Sequence, residues 1–234
     1  MQESNKTIGE IVAEDYRTSK VFEKFGIDFC CGGKVVLTEI CNERGLDLRA
    51  ILSDLETVKN KQIERDQDYA SWELPFLIDY IINVHHGYLN ENIELIKSYT
   101  RKIAQVHGNR HPELLEISSI FDKITSDMST HLKEEEDVLF PALKSADRNR
   151  KTGTQLSVDD VKVIHKSLEE LVREHDDIGA AIHKIRHLSN EYATPEDACN
   201  TYIITYKKLE EFENDLHKHV HLENNILFLQ AGKL

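Results

Sequence analysis

Two segments of this chain share the pattern H-x-x-x-E-x-x-[V/I]-L-F. The first begins at His131 and the second at His219, 88 residues later. Residues four apart in an α-helix lie above one another on one face, so each His–Glu pair directs both side chains the same way. The repeat therefore predicts two helices that aim the same donor set at one place, and metal binding is the chemistry that needs this arrangement.

Apolar residues from position 74 onward recur every three or four residues, a spacing typical of amphipathic helices. Four such segments predict an all-α four-helix bundle over residues 74–234. Breaks are expected at His107–Pro112, over a polar loop at 145–157, and before a fourth helix capped by Thr194. Several polar residues lie inside the apolar stripes, and this departure from binary patterning predicts a functional site in the core. They are His86, His131, Glu135, His175, His219 and Glu223.

The spacing of these residues is itself repeated. His86 precedes His131 by 45 residues, and His175 precedes His219 by 44. Each half thus supplies one single His and one His–Glu pair. Four imidazoles and two carboxylates exceed the four ligands of a tetrahedral zinc site but suit two metal ions with a bridging carboxylate. Nitrogen and oxygen donors with open coordination positions favour iron, with manganese as the next choice.

Neighbouring residues leave some of these assignments open. His85 precedes His86 and belongs to a second apolar stripe, although the repeat spacing favours His86 as the donor. His217 and His221 lie roughly 200° around the helix from His219, so we expect them to be solvated or to support the ligands indirectly. Glu134 and Glu136, which flank Glu135, are expected to face other directions.

Composition excludes several classes of protein. The 234 residues carry a net charge of −13, which disfavours binding to nucleic acid or to an anionic membrane surface. No apolar run approaches the length of a membrane span, and the N-terminal residues lack the apolar core of a signal peptide. We therefore expect a soluble cytoplasmic protein. The four cysteines show neither a CxxC zinc spacing nor a secreted disulfide framework.

Residues 1–58 are predicted to form a separate small helical domain, joined to the bundle by a polar linker at 59–73. Thr7 and Glu10 have the spacing of a capping box, Gly26 and Gly45 suit helix ends, and Asp47 suits a helix start. Such a domain has a small core and is marginal alone.

The segment Cys30-Cys31-Gly32-Gly33 reads as a turn whose glycines let other groups approach the backbone closely. Two interpretations of the cysteines remain open. They are either a functional thiol pair at a helix start, where the helix dipole favours thiolate, or unrelated small residues in a turn. Cys41 and Cys199 are expected to be core residues on helix faces.

The segment Asp28-Phe29-Cys30-Cys31-Gly32-Gly33, followed by the His/Glu-bearing bundle, resembles the iron–sulfur cluster repair di-iron proteins, whose bundle is haemerythrin-like. The resemblance covers nearly the whole chain. It implies a carboxylate-bridged centre of two non-haem iron ions held by the six core residues, with Glu135 and Glu223 in the bridging places. It also implies repair of iron–sulfur clusters damaged by nitrosative and oxidative stress, through iron donation or nitric oxide chemistry, with a thiol role for Cys30 and Cys31.

Two other functions remain alternatives. The first is an oxygen- or nitric-oxide-binding or sensing protein without repair activity, which would need the bundle but not the cysteine pair. The second is a turnover enzyme such as a nitric oxide reductase, although the sequence contains no flavin or nucleotide motif. The partners expected from the resemblance are damaged iron–sulfur proteins, with nitric oxide or oxygen as small ligands, and a homodimer is possible.

Overall fold

A computed structural model of the chain describes residues 3–30, 32–60 and 68–232. These residues form two compact units. One contains the described residues up to Ile78 together with those from His217 onward, and the other is Asp79–Leu216. The described residues contain no β-strand, and an isolated antiparallel bridge joins Thr7 to Val36. The all-α prediction is therefore confirmed.

The first unit is built from short helices around an apolar core that includes Ile8, Phe22 and Leu37. Its helices are α1 (Ile8–Glu14), α2 (Ser19–Lys24), α3 (Leu37–Arg44), α4 (Leu48–Lys59) and most of α5 (Leu74–Tyr80), with 3₁₀ turns at Glu3–Asn5, Tyr16–Thr18 and Tyr69–Ser71. The predicted helix ends are confirmed. Asp47 accepts hydrogen bonds at the start of α4, and Gly26 and Gly45 adopt positive φ after α2 and α3.

The capping box at the start of α1 is also confirmed. The Thr7 hydroxyl accepts from the Glu10 amide at 3.2 Å, and the Glu10 carboxylate accepts from the Thr7 amide at 2.8 Å. Thr7→Ala removes half of this exchange, and we expect it to cost about 1 kcal/mol of unfolding free energy. Urea unfolding measures the loss. Thr57→Ala is the control, since Thr57 is exposed within α4 and caps nothing. Equal losses in both variants would contradict a capping role.

The second unit contains the long helices expected of a bundle. They are α6 (Gly87–His107), α7 (Glu113–Glu134), α8 (Phe140–Thr152), α9 (Val158–Leu188) and α10 (Asn200–Leu222), of which the last residues of α10 group with the first unit. Helix α7 packs against α6 and α9, and Phe121 of α7 meets Phe212 of α10 edge to face at 5.1 Å between ring centroids. The chain continues from α10 into α11 (Phe228–Ala231).

Two predicted boundaries were wrong. The loop expected at 145–157 is helical as far as Thr152, because Ala146 and Asp147 are buried there. Arg150 and Lys151 form ion pairs with Asp147 at 3.2 and 2.9 Å. The polar composition of this segment predicted a loop, but the charges are paired within a helix. The fourth helix begins at Asn200 and not after Thr194.

Cys199 is exposed, so its predicted core position was also wrong. Its carbonyl accepts the first hydrogen bond of α10, from Ile203 at 3.1 Å. Cys199 therefore stands at the helix start, before the first buried turn. Cys41 is buried as expected.

Three π-helical turns interrupt the long helices at Ile81–His86, Glu135–Leu139 and Glu223–Leu227. Each contains an i→i+5 hydrogen bond; those of the last two turns run from the Phe140 amide to the Glu135 carbonyl and from the Phe228 amide to the Glu223 carbonyl. Proline follows Phe140 but leucine follows Phe228. The π-turn therefore belongs to the repeat itself and does not require the proline. Such turns are frequently found at functional sites.

None of the helices in the described part of the chain is long and apolar enough to cross a membrane.

Candidate metal centre

Four of the six predicted ligands come together within the second unit. His86, His131, Glu135 and His175 are each at most 1% exposed. Glu135 Oε2 lies 3.4 Å from His86 Nε2 and 3.5 Å from His131 Nε2. Donor atoms of His131, Glu135 and His175 lie within 4.8 Å of one another. The second unit thus contains a buried His/Glu cluster with the spacing of a metal site.

Glu135 is the strongest indication of a cation at this cluster. Its side chain is completely buried, yet neither carboxylate oxygen has a hydrogen-bond partner among the described residues. A buried carboxylate without a partner costs several kcal/mol, on the order of the effective burial penalty for one ion. A metal ion coordinated by the two oxygens offsets that cost, so the donor set fits a bound metal.

Carboxylates outside the cluster orient two of the imidazoles. His86 Nδ1 lies 2.8 Å from Glu136 Oε1, and His131 Nδ1 lies 2.8 Å from Glu174 Oε2. An ionised carboxylate only accepts, so each Nδ1 carries the proton and each Nε2 presents its lone pair to the cluster. The hydrogen bond from His131 also lowers the pKa of the Glu174 carboxyl below its usual value.

The contact between His131 and His175 supports the same interpretation. Their Nε2 atoms lie 3.0 Å apart. Since Nδ1 of His131 is the donor to Glu174, its Nε2 atom is an acceptor and needs a proton or a cation opposite it. Two imidazole nitrogens and a carboxylate that converge in this way are ligands typical of iron, manganese and other first-row metals.

The remaining two predicted ligands belong to the first unit. His219 and Glu223 are both 0% exposed, and His219 Nε2 lies 2.9 Å from Glu223 Oε1. They stand one turn apart where α10 passes into the third π-turn. This placement matches that of His131 and Glu135, which stand where α7 passes into the second π-turn.

The sequence left open whether His85 or His86 is the metal donor, and the structure distinguishes the two. His86 lies beside Glu135, whereas His85 turns to the other side of the helix, where its Nδ1 lies 2.9 Å from Asp215 Oδ1. Both rings are buried, which explains why apolar patterning did not separate them.

His221 was expected to be either solvated or an indirect support of the ligands, and the structure rules out the solvated alternative. Its ring is completely buried against Tyr16 and Phe29, with centroids 5.5 and 6.0 Å away. Burial lowers the pKa of His221 to about 3, so the ring is neutral. Asn225 lies 3.1 Å from His221 and also donates to the Phe29 carbonyl at 3.2 Å. His221 and Asn225 therefore join the segment around Phe29 to the end of the chain.

Cys30 lies in the turn after Phe29 and is almost fully buried. Of the two interpretations that the sequence left open, Cys30 does not fit a helix start, because the next helix, α3, begins at Leu37. The Cys30 thiol donates a hydrogen bond to the Asp28 carboxylate at 3.1 Å. Cys31 lies outside the described residues.

Sequence reasoning missed two residues of this site. Glu136 was expected to face away from the cluster, and Glu174 was not considered. Glu136 lies in the π-turn that begins at Glu135, and its carboxylate reaches Nδ1 of His86. Glu174 precedes His175 along the chain but bonds to His131 on another helix. No local spacing predicts a contact of that kind.

Two family models match the chain. Residues 77–231 match the haemerythrin HHE cation binding domain, and residues 4–59 match a domain of unknown function, DUF542. The first match covers more than half of the chain.

Curated relatives resemble the chain along almost its full length. The iron–sulfur cluster repair protein ScdA of Staphylococcus epidermidis is 31% identical over 96% of this chain and 97% of its own length. A probable iron–sulfur cluster repair protein of Haemophilus influenzae is 29% identical, covering 97% of each chain. The iron–sulfur cluster repair protein YtfE of Yersinia pseudotuberculosis is 29% identical over 99% of this chain and 98% of its own. The chain therefore belongs to the ScdA/YtfE family of iron–sulfur cluster repair proteins, which carry a haemerythrin-type cation-binding domain.

Proposed function

We propose that this protein repairs iron–sulfur clusters damaged by nitrosative and oxidative stress, with damaged cytoplasmic iron–sulfur proteins as its partners. The names of its relatives support this function. The observation that carries the proposal is the fully buried Glu135 carboxylate, whose oxygens lack hydrogen-bond partners among the described residues and which lies beside imidazole nitrogens.

We propose that the cation is a pair of iron ions bridged by carboxylates. The ligands would be His86, His131, Glu135, His175, His219 and Glu223. The matched positions of the two His–Glu pairs before two π-turns support the inclusion of His219 and Glu223. Six donors divided between two ions leave coordination positions open on each. When bound, the iron pair supplies redox-active positions for nitric oxide or oxygen and a source of iron for a damaged cluster.

The residues of the chain hold and shield this centre. Glu174 fixes the orientation of His131, so that Nε2 points into the core before metal binds. Leu139 and Phe140, nearly fully buried, follow Glu135 and exclude water from one side of the cluster. Phe140 also stacks on the His86 ring, with the centroids 5.7 Å apart.

The test is a repair assay with purified iron-loaded protein. A [4Fe–4S] dehydratase inactivated by nitric oxide is incubated anaerobically with the protein, and we expect its activity to return. An iron-loaded protein that restores no activity would contradict the proposal.

The alternative is binding of nitric oxide or oxygen without repair, in which case the iron-loaded wild type restores no dehydratase activity in this assay. The buried, carboxylate-bonded thiol of Cys30 is the observation that favours a binding function, because it is poorly placed for thiol chemistry. A variant with both Cys30→Ala and Cys31→Ala tests whether the thiols take part in repair. Repair that persists without the cysteines assigns the activity to the metal centre, and repair that disappears while iron remains assigns a role to the thiols.

A further inference from the structure

Two consecutive carboxylates reach the same imidazole ring. Glu135 Oε2 lies 3.4 Å from His86 Nε2, and Glu136 Oε1 lies 2.8 Å from His86 Nδ1. Successive side chains on a helix point roughly 100° apart, so the two carboxylates approach the ring from different sides. Both residues belong to the π-turn that begins at Glu135. This turn thus presents a carboxylate to each nitrogen of one histidine.

We propose that Glu136 is a positioning residue that acts on the metal centre through His86, an inference that rests on the proposed iron-binding site. By accepting a hydrogen bond from the Nδ1–H group of His86, Glu136 fixes the tautomer in which Nε2 carries no proton and faces the metal. The negative charge also increases the electron density on the imidazole, which makes Nε2 a stronger donor to the more highly charged, ferric state. Glu136 therefore raises iron affinity and lowers the reduction potential of the centre without touching the metal.

The two repeats differ at this position. Asn224 occupies the place that corresponds to Glu136, directly after Glu223 and within the third π-turn. An amide brings no negative charge, so the second π-turn presents a charged side chain where the third presents a neutral one. The role assigned to Glu136 is therefore not a general requirement of the repeated motif.

The surroundings of Glu136 make it suitable for substitution. Its side chain is 37% exposed and lines a surface cavity of about 400 Å³ on the faces of α6 and α7. The cavity is also lined by apolar residues, among them Leu89, Ile93 and Met128. Shortening Glu136 enlarges an open groove and creates no sealed void, so the packing of the core stays intact.

The test compares Glu136→Ala and Glu136→Gln with Asp137→Ala, an exposed neighbour that lines the same cavity. Chelator competition gives the iron dissociation constant, and a redox titration gives the potential. We expect Glu136→Ala to weaken iron binding by roughly 10- to 100-fold and to raise the potential. Glu136→Gln, which accepts the same hydrogen bond without the charge, should fall between Glu136→Ala and wild type.

Unfolding of the metal-free proteins provides the second readout. A residue that acts only through structure would change the stability of the metal-free protein and not the potential of the loaded one. We expect Glu136→Ala to change the potential of the iron-loaded protein and to leave the stability of the metal-free protein unchanged. If Glu136→Ala and Asp137→Ala bind iron with the same affinity and potential, the inference is wrong. If the wild-type protein itself binds no iron, the proposed function fails instead, and the two failures are distinguishable.

Discussion

Replacing Glu135 with alanine is expected to abolish stable binding of the proposed iron pair. The buried Glu135 carboxylate lies between His86 and His131, so its removal deprives the cluster of its central oxygen donor. Loss of a supporting residue typically weakens metal binding 10- to 100-fold, and loss of a bridging ligand should exceed about 100-fold. Two measurements test this: the iron content after gel filtration, and the rise in melting temperature on adding iron, which we expect for the wild type and not for the variant.

Glu134→Ala is the matched control, one residue away on the same helix. Glu134 accepts a hydrogen bond from Ser167 at 3.3 Å and makes no contact with the cluster histidines among the described residues. This variant should bind iron as the wild type does. Equal iron losses in the two variants would show that Glu135 is not a ligand.

The helices and most of the cluster follow from local sequence rules. His131 and Glu135 share a face because residues four apart always do, and the apolar stripe around them shows that this face is buried. The capping box at Thr7 is equally local, since both of its hydrogen bonds span three residues. The structure confirmed both of these predictions, the shared face of His131 and Glu135 and the capping box of Thr7 and Glu10.

Other features were not predictable from residue spacing alone. The polar stretch around Asp147 reads as a loop, but its charges are neutralised one turn along a continuing helix. His85 and His86 are both buried, and only Asp215, 130 residues away, shows that His85 has a different partner. The π-turn at Glu135 exchanges one hydrogen-bond pattern for another without changing the apolar spacing, so periodicity does not reveal it.

The turn after Cys30 depends on a close backbone contact between Gly33 and Gly9, and the sequence predicted a close approach at Gly33. The Gly9 amide donates to the Gly33 carbonyl at 2.7 Å, and the Ile8 amide donates to the Val35 carbonyl at 3.0 Å. These bonds satisfy two of the amides that the first turn of α1 leaves without helical partners. A Cβ atom at Gly33 would lie 2.5 Å from the Phe29 carbonyl oxygen and 3.1 Å from Gly9 Cα.

Gly33→Ala is therefore expected to destabilise the first unit strongly. Both obstructing atoms are backbone atoms, which move only if the turn and the start of α1 separate. We expect a loss of about 3 kcal/mol, at the upper end of the usual cost of overpacking. Because Cys30 is nearly buried beside this turn, its rate of alkylation, followed by mass spectrometry at that residue, should rise along with the loss of stability in urea.

Gly87→Ala separates this steric effect from the general effect of replacing glycine. Gly87 is helical, and the nearest atom to a Cβ built there is 3.8 Å away, so the methyl group meets no obstacle. Alanine should then stabilise the protein by about 0.5–1 kcal/mol, because it loses less conformational freedom on folding than glycine. The two substitutions thus have opposite expected signs. A Gly33→Ala protein as stable as wild type, with Cys30 still protected, would show that the 28–33 turn tolerates a side chain and that the close approach of Gly9 does not define its shape.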